Sequence, residues 1–158
     1  MDYETIEFRS VDKGIGLLAL NRPRKFNSVN TRMMEELEAF WAGARDDPET
    51  RVIVLAGNGK RNFCAGLDMR ETVKAMSGMK TEDFYRFQSR LGRLLLAMRQ
   101  APQPIVCAVH GAASGIGFSF ALASDVRVVS KDARFCAAYI NIGLGLSLIH
   151  ISEPRDLS

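Results

Sequence analysis

The chain has 158 residues, of which 47% are hydrophobic and 25% charged, and its formal net charge is +3. These proportions are typical of one globular domain with a buried core, and they exclude a disordered or collagen-like chain. The basic residues are spread along the sequence, which argues against a nucleic-acid partner. No apolar stretch reaches the length of a membrane span, so we expect no membrane partner.

The first 13 residues are mixed and acidic, without the features of a secretion signal or a transit peptide. Three cysteines, Cys64, Cys107 and Cys136, lie in apolar stretches at wide spacing. This arrangement is typical of buried thiols in a reducing compartment rather than of disulfides or metal ligands. We therefore expect a cytoplasmic protein without a metal.

The N-terminal third predicts a hairpin followed by a helix. Residues 5–11 (TIEFRSV) and 16–20 (GLLAL) have the pattern of strands, and Asp12-Lys13-Gly14 between them is a turn signal. Asn30 can cap a helix. Its apolar residues recur at helical spacing, at Met34, Leu37, Trp41 and Ala44.

The remainder of the chain alternates strands and helices. A long helix is predicted from about Thr81, with an apolar stripe at Phe84, Phe87, Leu91, Leu94 and Met98. FSFALA (118–123) is a second, short helix. The predicted strands are 51–57, 104–109, 126–130 and 133–139. Interleaved strands and helices predict an α/β fold.

Two glycine-containing turns each follow a strand and precede a helix: NFCAGLDM (62–69) and HGAASGIG (110–117). Two helix N-termini can direct free backbone N–H groups into one cleft. Such a pair would form an oxyanion hole for a thioester or ester carbonyl, with each donor contributing roughly 3 kcal/mol in the transition state.

The second turn also resembles the phosphate-binding loop of the short-chain dehydrogenases, with Asp132 about 20 residues on as a ribose-binding acid. In that family, however, the loop ends the first strand, and eight residues (118–125) are short for a crossover helix. Its catalytic Tyr is followed four residues later by Lys, a pair absent after Tyr3, Tyr85 and Tyr139. An NAD(P)-dependent dehydrogenase is therefore an alternative that is less favoured than the two functions considered below.

Segments 21–30 (NRPRKFNSVN), 63–69 (FCAGLDM) and 108–135 resemble the enoyl-CoA hydratase/isomerase family, the crotonases. The resemblance covers nearly all of residues 3–145, with the motifs in order. It implies a ClpP/crotonase-like spiral of ββα units that binds an acyl-CoA thioester. Coenzyme A is then part of the substrate, and no separate cofactor is expected.

Matched residue by residue, the resemblance places the two oxyanion-hole N–H groups on Leu67 and Ile116. It places Arg24, Lys25 and Phe26 beside the CoA phosphates and pantetheine, although plain surface charges remain an alternative for the two cations. The family meets the adenine with a backbone carbonyl at Ala65. The whole expected substrate-binding set is Arg24, Lys25, Phe26, Ala65, Gly66, Asp68, Gly115, Ser119 and Tyr139.

The two glutamates with which hydratases of this family add water fall on Ser119 and Tyr139 here. The aspartate of dehalogenases and some isomerases would fall near Ser147. General acid–base catalysis needs a titratable group near the substrate, so these residues argue against ordinary hydratase activity. Asp68 and Asp125 look structural, one at a helix start and one before a strand. The alternative to an acyl-CoA enzyme is a non-catalytic acyl-CoA-binding relative or an inactive fragment.

The family pattern stops at residue 145, so residues 1–145 are expected to be the N-terminal part of a crotonase core domain. Residues 146–158 match nothing in the family. Leu146 to Pro154 resemble a translated transposase adapter, and we expect a read-through artefact, with a divergent natural tail as the alternative. Complete family members continue into C-terminal helices that build a homotrimer or hexamer, so this fold is expected to be incomplete.

Overall fold

A computed structural model describes residues 3–139 of the chain. Strands and helices alternate through this range, and a 3-10 turn at Pro23–Lys25 follows the first hairpin. In chain order the elements are β1 (Ile6–Asp12), β2 (Ile15–Leu20), α1 (Thr31–Ala44), β3 (Val52–Gly57), β4 (Asn62–Cys64), α2 (Met69–Met76), α3 (Thr81–Arg99), β5 (Ile105–Val109), β6 (Ala112–Ser114), α4 (Ile116–Ala123), β7 (Val126–Val129) and β8 (Arg134–Cys136).

The strands form two sheets. One has the order β1-β2-β3-β5-β7, in which only β1 and β2 are antiparallel, and the other has the order β4-β6-β8 and is parallel. β3 and β5 each enter the larger sheet, and the strand after each one enters the smaller sheet before a helix begins. This repeat of strand, strand and helix confirms the α/β class and the expected ββα spiral.

The local predictions of the N-terminal third are confirmed. The Asn30 side chain caps α1 by accepting a hydrogen bond of 3.0 Å from the Met33 N–H. The four apolar residues expected to line α1 are all buried. On α3, the C-terminal part of the expected stripe is buried at Leu91, Leu94 and Met98, whereas Phe84 and Phe87 are half-buried.

Two expectations need correction. Residues 62–64 and 112–114 were expected to be turns, but they form β4 and β6, because three residues are too few to show a strand period in sequence. Cys64 and Cys107 are buried free thiols, whereas Cys136 is exposed. All three residues of β8 are exposed, so neither face of this strand is covered within residues 3–139, whereas Phe63 and Cys64 on the other edge strand, β4, are buried.

Expectations for residues 140–158, which include Ser147, the end of the family pattern and the tail, lie outside the described residues. Among the helices of residues 3–139, none combines the length and the apolarity needed to cross a bilayer.

Candidate functional site

The two glycine-containing turns meet at one cavity of about 170 Å³. One wall comes from the segment between β4 and α2, and the other from the start of α4 and the segment after β8. The lining residues are Ala65, Gly66, Leu67, Met69, Gly115, Ile116, Ala138 and Tyr139. The structure therefore brings together both predicted donor positions and the predicted residues Ala65, Gly66, Gly115 and Tyr139.

Glycine is required where the two turns approach each other. Gly66 has φ +105° and Gly115 has φ +52°, a region that side-chain-bearing residues rarely adopt. A Cβ atom on Gly66 would also lie 3.1 Å from the Ser114 carbonyl oxygen. The backbone geometry that places residues 67 and 116 on one cavity thus depends on both glycines.

The Leu67 peptide is fixed by its neighbours. The Val29 N–H donates to the Gly66 carbonyl oxygen at 2.8 Å, and the Asp68 N–H donates to the Val29 carbonyl oxygen at 2.8 Å. These two bonds hold residue 67 in a single parallel bridge with Val29. In the part of the chain that the structure describes, the Leu67 N–H itself donates to no protein acceptor.

Ile116 is the first residue of α4, so its N–H has no acceptor within the helix. No other acceptor for it is found among residues 3–139. The turn before it is held to the smaller sheet, because the Gly115 N–H donates to the Cys136 carbonyl oxygen at 2.9 Å. The positive end of the α4 dipole therefore lies at the cavity wall.

Asp68 adjoins the cavity but is occupied by structural contacts. It caps α2 by accepting from the Glu71 N–H, and its carboxylate lies 3.1 Å from the Arg22 guanidinium. Burial raises the pKa of Asp68, but the hydrogen bonds from Arg22 and Glu71 and the charge of Arg22 outweigh it and lower that pKa. The expected role of Asp68 at a helix start is confirmed. Asp125, just before β7, accepts from the Ile105 N–H at 2.8 Å.

Ser119 and Tyr139 form a buried pair. The Ser119 Oγ lies 2.8 Å from the Tyr139 hydroxyl, and both residues are less than 10% exposed. Burial raises the pKa of Tyr139 to about 12, although the hydrogen bond with Ser119 acts in the opposite direction. Of the two, only Tyr139 lines the cavity within the described residues. The tyrosine is therefore a neutral phenol across the physiological pH range.

A second, more polar cavity of about 350 Å³ lies beside the 3-10 turn. Cations from two segments line it: Arg24 from the turn, and Lys60 and Arg61 from the loop after β3. Its other lining residues are Pro23, Phe26, Asn27, Asn58, Gly59 and Asn62. The Ala65 N–H donates to the Phe26 carbonyl oxygen at 3.0 Å, which connects this turn to the first cavity.

Asn27 holds the second cavity together. The Arg22 N–H donates to its side-chain oxygen, and its side-chain nitrogen donates to the carbonyl oxygens of Asn58 and Asn62 at 2.9 and 3.0 Å. Lys25, which the sequence placed with Arg24, is exposed and lines neither cavity. The surface-charge alternative fits Lys25 better.

Sequence reasoning missed Lys60 and Arg61, which follow the predicted strand 51–57 and the segment Gly57-Asn58-Gly59. The signal available was the pair of basic residues directly after it. It also missed the pairing of Arg22 with Asp68, which are 46 residues apart in the chain.

Residues 10–148 match the sequence profile of the enoyl-CoA hydratase/isomerase family. The chain is 35% identical over 140 residues to the 1,2-epoxyphenylacetyl-CoA isomerase of Escherichia coli, covering 85% of this chain and 51% of that protein. It is 36% identical over 125 residues to the (E)-benzylidenesuccinyl-CoA hydratase of Thauera aromatica, covering 79% of this chain and 47% of that protein.

Among solved structures, an enoyl-CoA hydratase from Mycobacterium smegmatis is similar with a TM-score of 0.80 and 32% identity, covering 91% of this chain and 55% of that one. The chain thus spans about half the length of the curated relatives it matches. The profile match and these similarities agree with the ββα repeat. The chain belongs to the enoyl-CoA hydratase/isomerase family.

Proposed function

We propose that the chain binds an acyl-CoA thioester and polarises its carbonyl through the N–H groups of Leu67 and Ile116. The reaction would be of the hydratase/isomerase type, within fatty-acid or related acyl-CoA metabolism. One observation carries the proposal: both residues line the same cavity, and neither N–H donates to a protein acceptor within residues 3–139. Family membership favours this function over a dehydrogenase.

The proposed chemistry follows from charge. When the carbon next to a thioester loses a proton, negative charge grows on the carbonyl oxygen. Two N–H groups fixed before the substrate arrives stabilise that charge without reorganisation, and the N-terminus of α4 adds its dipole. Because the donors belong to the backbone, this role does not depend on the side chains of Leu67 and Ile116.

The second cavity is the proposed site of the CoA phosphates. Arg24, Lys60 and Arg61 supply positive charge there, and cations bind phosphate through charge-assisted hydrogen bonds. The adenine would meet the backbone at Ala65, which is exposed and is hydrogen-bonded to Phe26. The pantetheine would then run from the second cavity to the first.

A second candidate is a non-catalytic acyl-CoA-binding protein. Its support is that none of the lining residues of the first cavity, among those described, carries a carboxylate. Ser119 and Tyr139 stand where hydratases of the family are expected to have glutamates. Steady turnover of an enoyl-CoA substrate would exclude this candidate, whereas tight binding without turnover would favour it.

Calorimetric titration with two matched ligands tests the binding proposal. Butyryl-CoA has a carbonyl beside the sulfur, and S-butyl-CoA replaces that carbonyl by a methylene. Two hydrogen bonds of about 1 kcal/mol each predict that the thioester binds roughly tenfold or more tightly than the thioether. Equal affinities would overturn the proposed donor pair, and absence of binding by both would overturn the CoA site.

Assembly and location also stay proposals. We propose a homotrimer or hexamer, as expected for complete family members, which light scattering of the purified protein would measure. A cytoplasmic location is supported by the two buried free thiols, Cys64 and Cys107, since such thiols persist in reducing compartments.

A further inference from the structure

We infer that Tyr139 is a specificity-determining hydrogen-bond donor, oriented by Ser119, which selects acyl-CoA thioesters carrying an oxygen atom on the acyl group. The inference rests on the proposed function, because it places the acyl group in the cavity that Leu67 and Ile116 line. It adds a class of substrate to that function.

The composition of the cavity wall supports this inference. Of the eight described lining residues, seven have side chains with only hydrogen and carbon, or sulfur at Met69, and Tyr139 alone brings a hydroxyl. An acyl group in this cavity therefore meets one polar side chain. An oxygen atom on that group loses its water on binding and needs a partner, since an unpaired buried polar atom is costly.

The hydrogen bond between Ser119 and Tyr139 uses only one of their two hydroxyl protons. The Tyr139 hydroxyl has one proton and can also accept, and the Ser119 hydroxyl, 2.8 Å away, can serve as either partner. When Ser119 donates, the phenol proton of Tyr139 is left free to donate to a further acceptor. Ser119 does not itself line the cavity in the described part of the chain, so it is a positioning residue.

The absence of negative charge on the Tyr139 side chain also supports the inference. A glutamate at either position would present an acceptor to the acyl group and could remove a proton from carbon. A buried, protonated phenol instead presents a donor and has no negative charge. The site is thus suited to hold or polarise an oxygen on the acyl chain, such as a hydroxyl or carbonyl group.

The test compares dissociation constants for butyryl-CoA, 2-hydroxybutyryl-CoA, 3-hydroxybutyryl-CoA and acetoacetyl-CoA on the whole chain. We expect at least one oxygenated thioester to bind about fivefold or more tightly than butyryl-CoA. Tyr139→Phe should remove this preference, measured as the ratio of the dissociation constants of butyryl-CoA and the oxygenated thioester. Ser119→Ala should reduce the same ratio, whereas a merely structural role would weaken all four ligands together.

Tyr85→Phe is the matched control, because Tyr85 is 71% exposed on α3 and its loss should change no affinity. The absorbance of the phenolate is titrated with pH in wild type and in Tyr139→Phe. The difference between the two curves reports the titration of Tyr139 in the folded protein. We expect its apparent pKa to lie well above 10 and to change when the oxygenated thioester binds but not when butyryl-CoA binds.

The outcomes separate the inference from the function beneath it. Binding of butyryl-CoA with no preference for oxygen, or a preference that survives Tyr139→Phe, would overturn the role of Tyr139 and leave the CoA site standing. Absence of binding by all four thioesters would overturn both. An identical Tyr139 titration with and without the oxygenated ligand would also overturn the inference.

Discussion

Gly117, in the first turn of α4, packs directly on the backbone of Cys64, at the end of β4. A Cβ atom on Gly117 would lie 2.5 Å from the Cys64 carbonyl oxygen and 2.6 Å from the Cys64 Cβ. This contact joins the two segments that line the first cavity. The position of α4, and with it the Ile116 N–H, therefore depends on the absence of a side chain at residue 117.

Gly117→Ala should lower the free energy of unfolding by about 2 kcal/mol. Alanine gains up to about 1 kcal/mol over glycine in a helix, but inserting a methyl group into a packed site typically costs about 1–3 kcal/mol. Here three contacts with Cys64 atoms would be under 3 Å. Gly43 in α1 is the matched control, because a Cβ there would meet nothing within 4 Å. Gly43→Ala should raise stability by about 0.5–1 kcal/mol. Urea unfolding at pH 7 measures both, and a stabilised Gly117→Ala variant would contradict the contact.

Glu36 of α1 holds the chain segment that leads into β1. Its buried carboxylate accepts from the N–H groups of Glu4 and Thr5, both at 2.8 Å, and from the Thr5 hydroxyl at 2.6 Å, and Arg32 lies 2.9 Å away. Burial raises the pKa of Glu36, but these hydrogen bonds and the Arg32 charge lower it by more. The pKa therefore lies below its usual value of 4.5. Glu36→Gln should lower the free energy of unfolding at pH 7 by about 2 kcal/mol, since hydrogen bonds to a charged group are lost.

The pH dependence follows from the sign of that shift. A carboxyl group whose folded pKa lies below its unfolded value stabilises the fold above the unfolded pKa, here about 4.5, and loses this contribution as pH falls through the folded pKa. The difference between wild type and Glu36→Gln should therefore shrink from pH 7 to pH 3 in urea unfolding. Glu35→Gln, at a half-exposed neighbour, should cost under about 0.5 kcal/mol at either pH. A Glu36→Gln difference that stays constant with pH would argue against the charged-group account.

Arg61→Gln should weaken binding of CoA about three- to tenfold, because it removes one of three cations that line the second cavity. The loss should narrow at high salt, since screening weakens interactions between exposed charges. Arg86→Gln, an equal change of charge on the exposed surface of α3, is the control and should leave CoA affinity unchanged. Titration of CoA into each variant at low and high salt measures the effect. Equal losses for both variants would show that net charge, rather than the cavity, is responsible.

The sequence predicted best what is decided locally. The Asn30 cap, the hairpin of β1 and β2 and the stripe on α1 follow from capping, turn and spacing preferences within a few residues. The positions of Leu67 and Ile116 came from the resemblance to the crotonases, which matches them to the residues after Gly66 and Gly115. The structure brings Leu67 and Ile116 to one cavity. Neither motif alone predicts that cavity, but the two motifs together do.

What the sequence could not predict depends on contacts between distant segments. Arg24 and Arg61 share a cavity because Asn27 binds the loop after β3, a contact without a periodic signal. Cys136 is exposed because neither face of β8 is covered within residues 3–139, whereas its apolar neighbours in sequence indicated burial. The Ser119–Tyr139 hydrogen bond likewise joins residues 20 positions apart.

The proposed polarisation of the thioester is tested most directly by the infrared stretching frequency of a ¹³C-labelled thioester carbonyl bound to two variants. Proline is tolerated at the first position of a helix, so Ile116→Pro removes the N–H while α4 is kept. Ile116→Val keeps the N–H and trims the side chain.

We predict that the bound carbonyl absorbs at lower frequency than the free ligand in wild type and in Ile116→Val, and that Ile116→Pro returns it toward the free value. The same frequency in the saturated Ile116→Pro and Ile116→Val complexes would contradict the account.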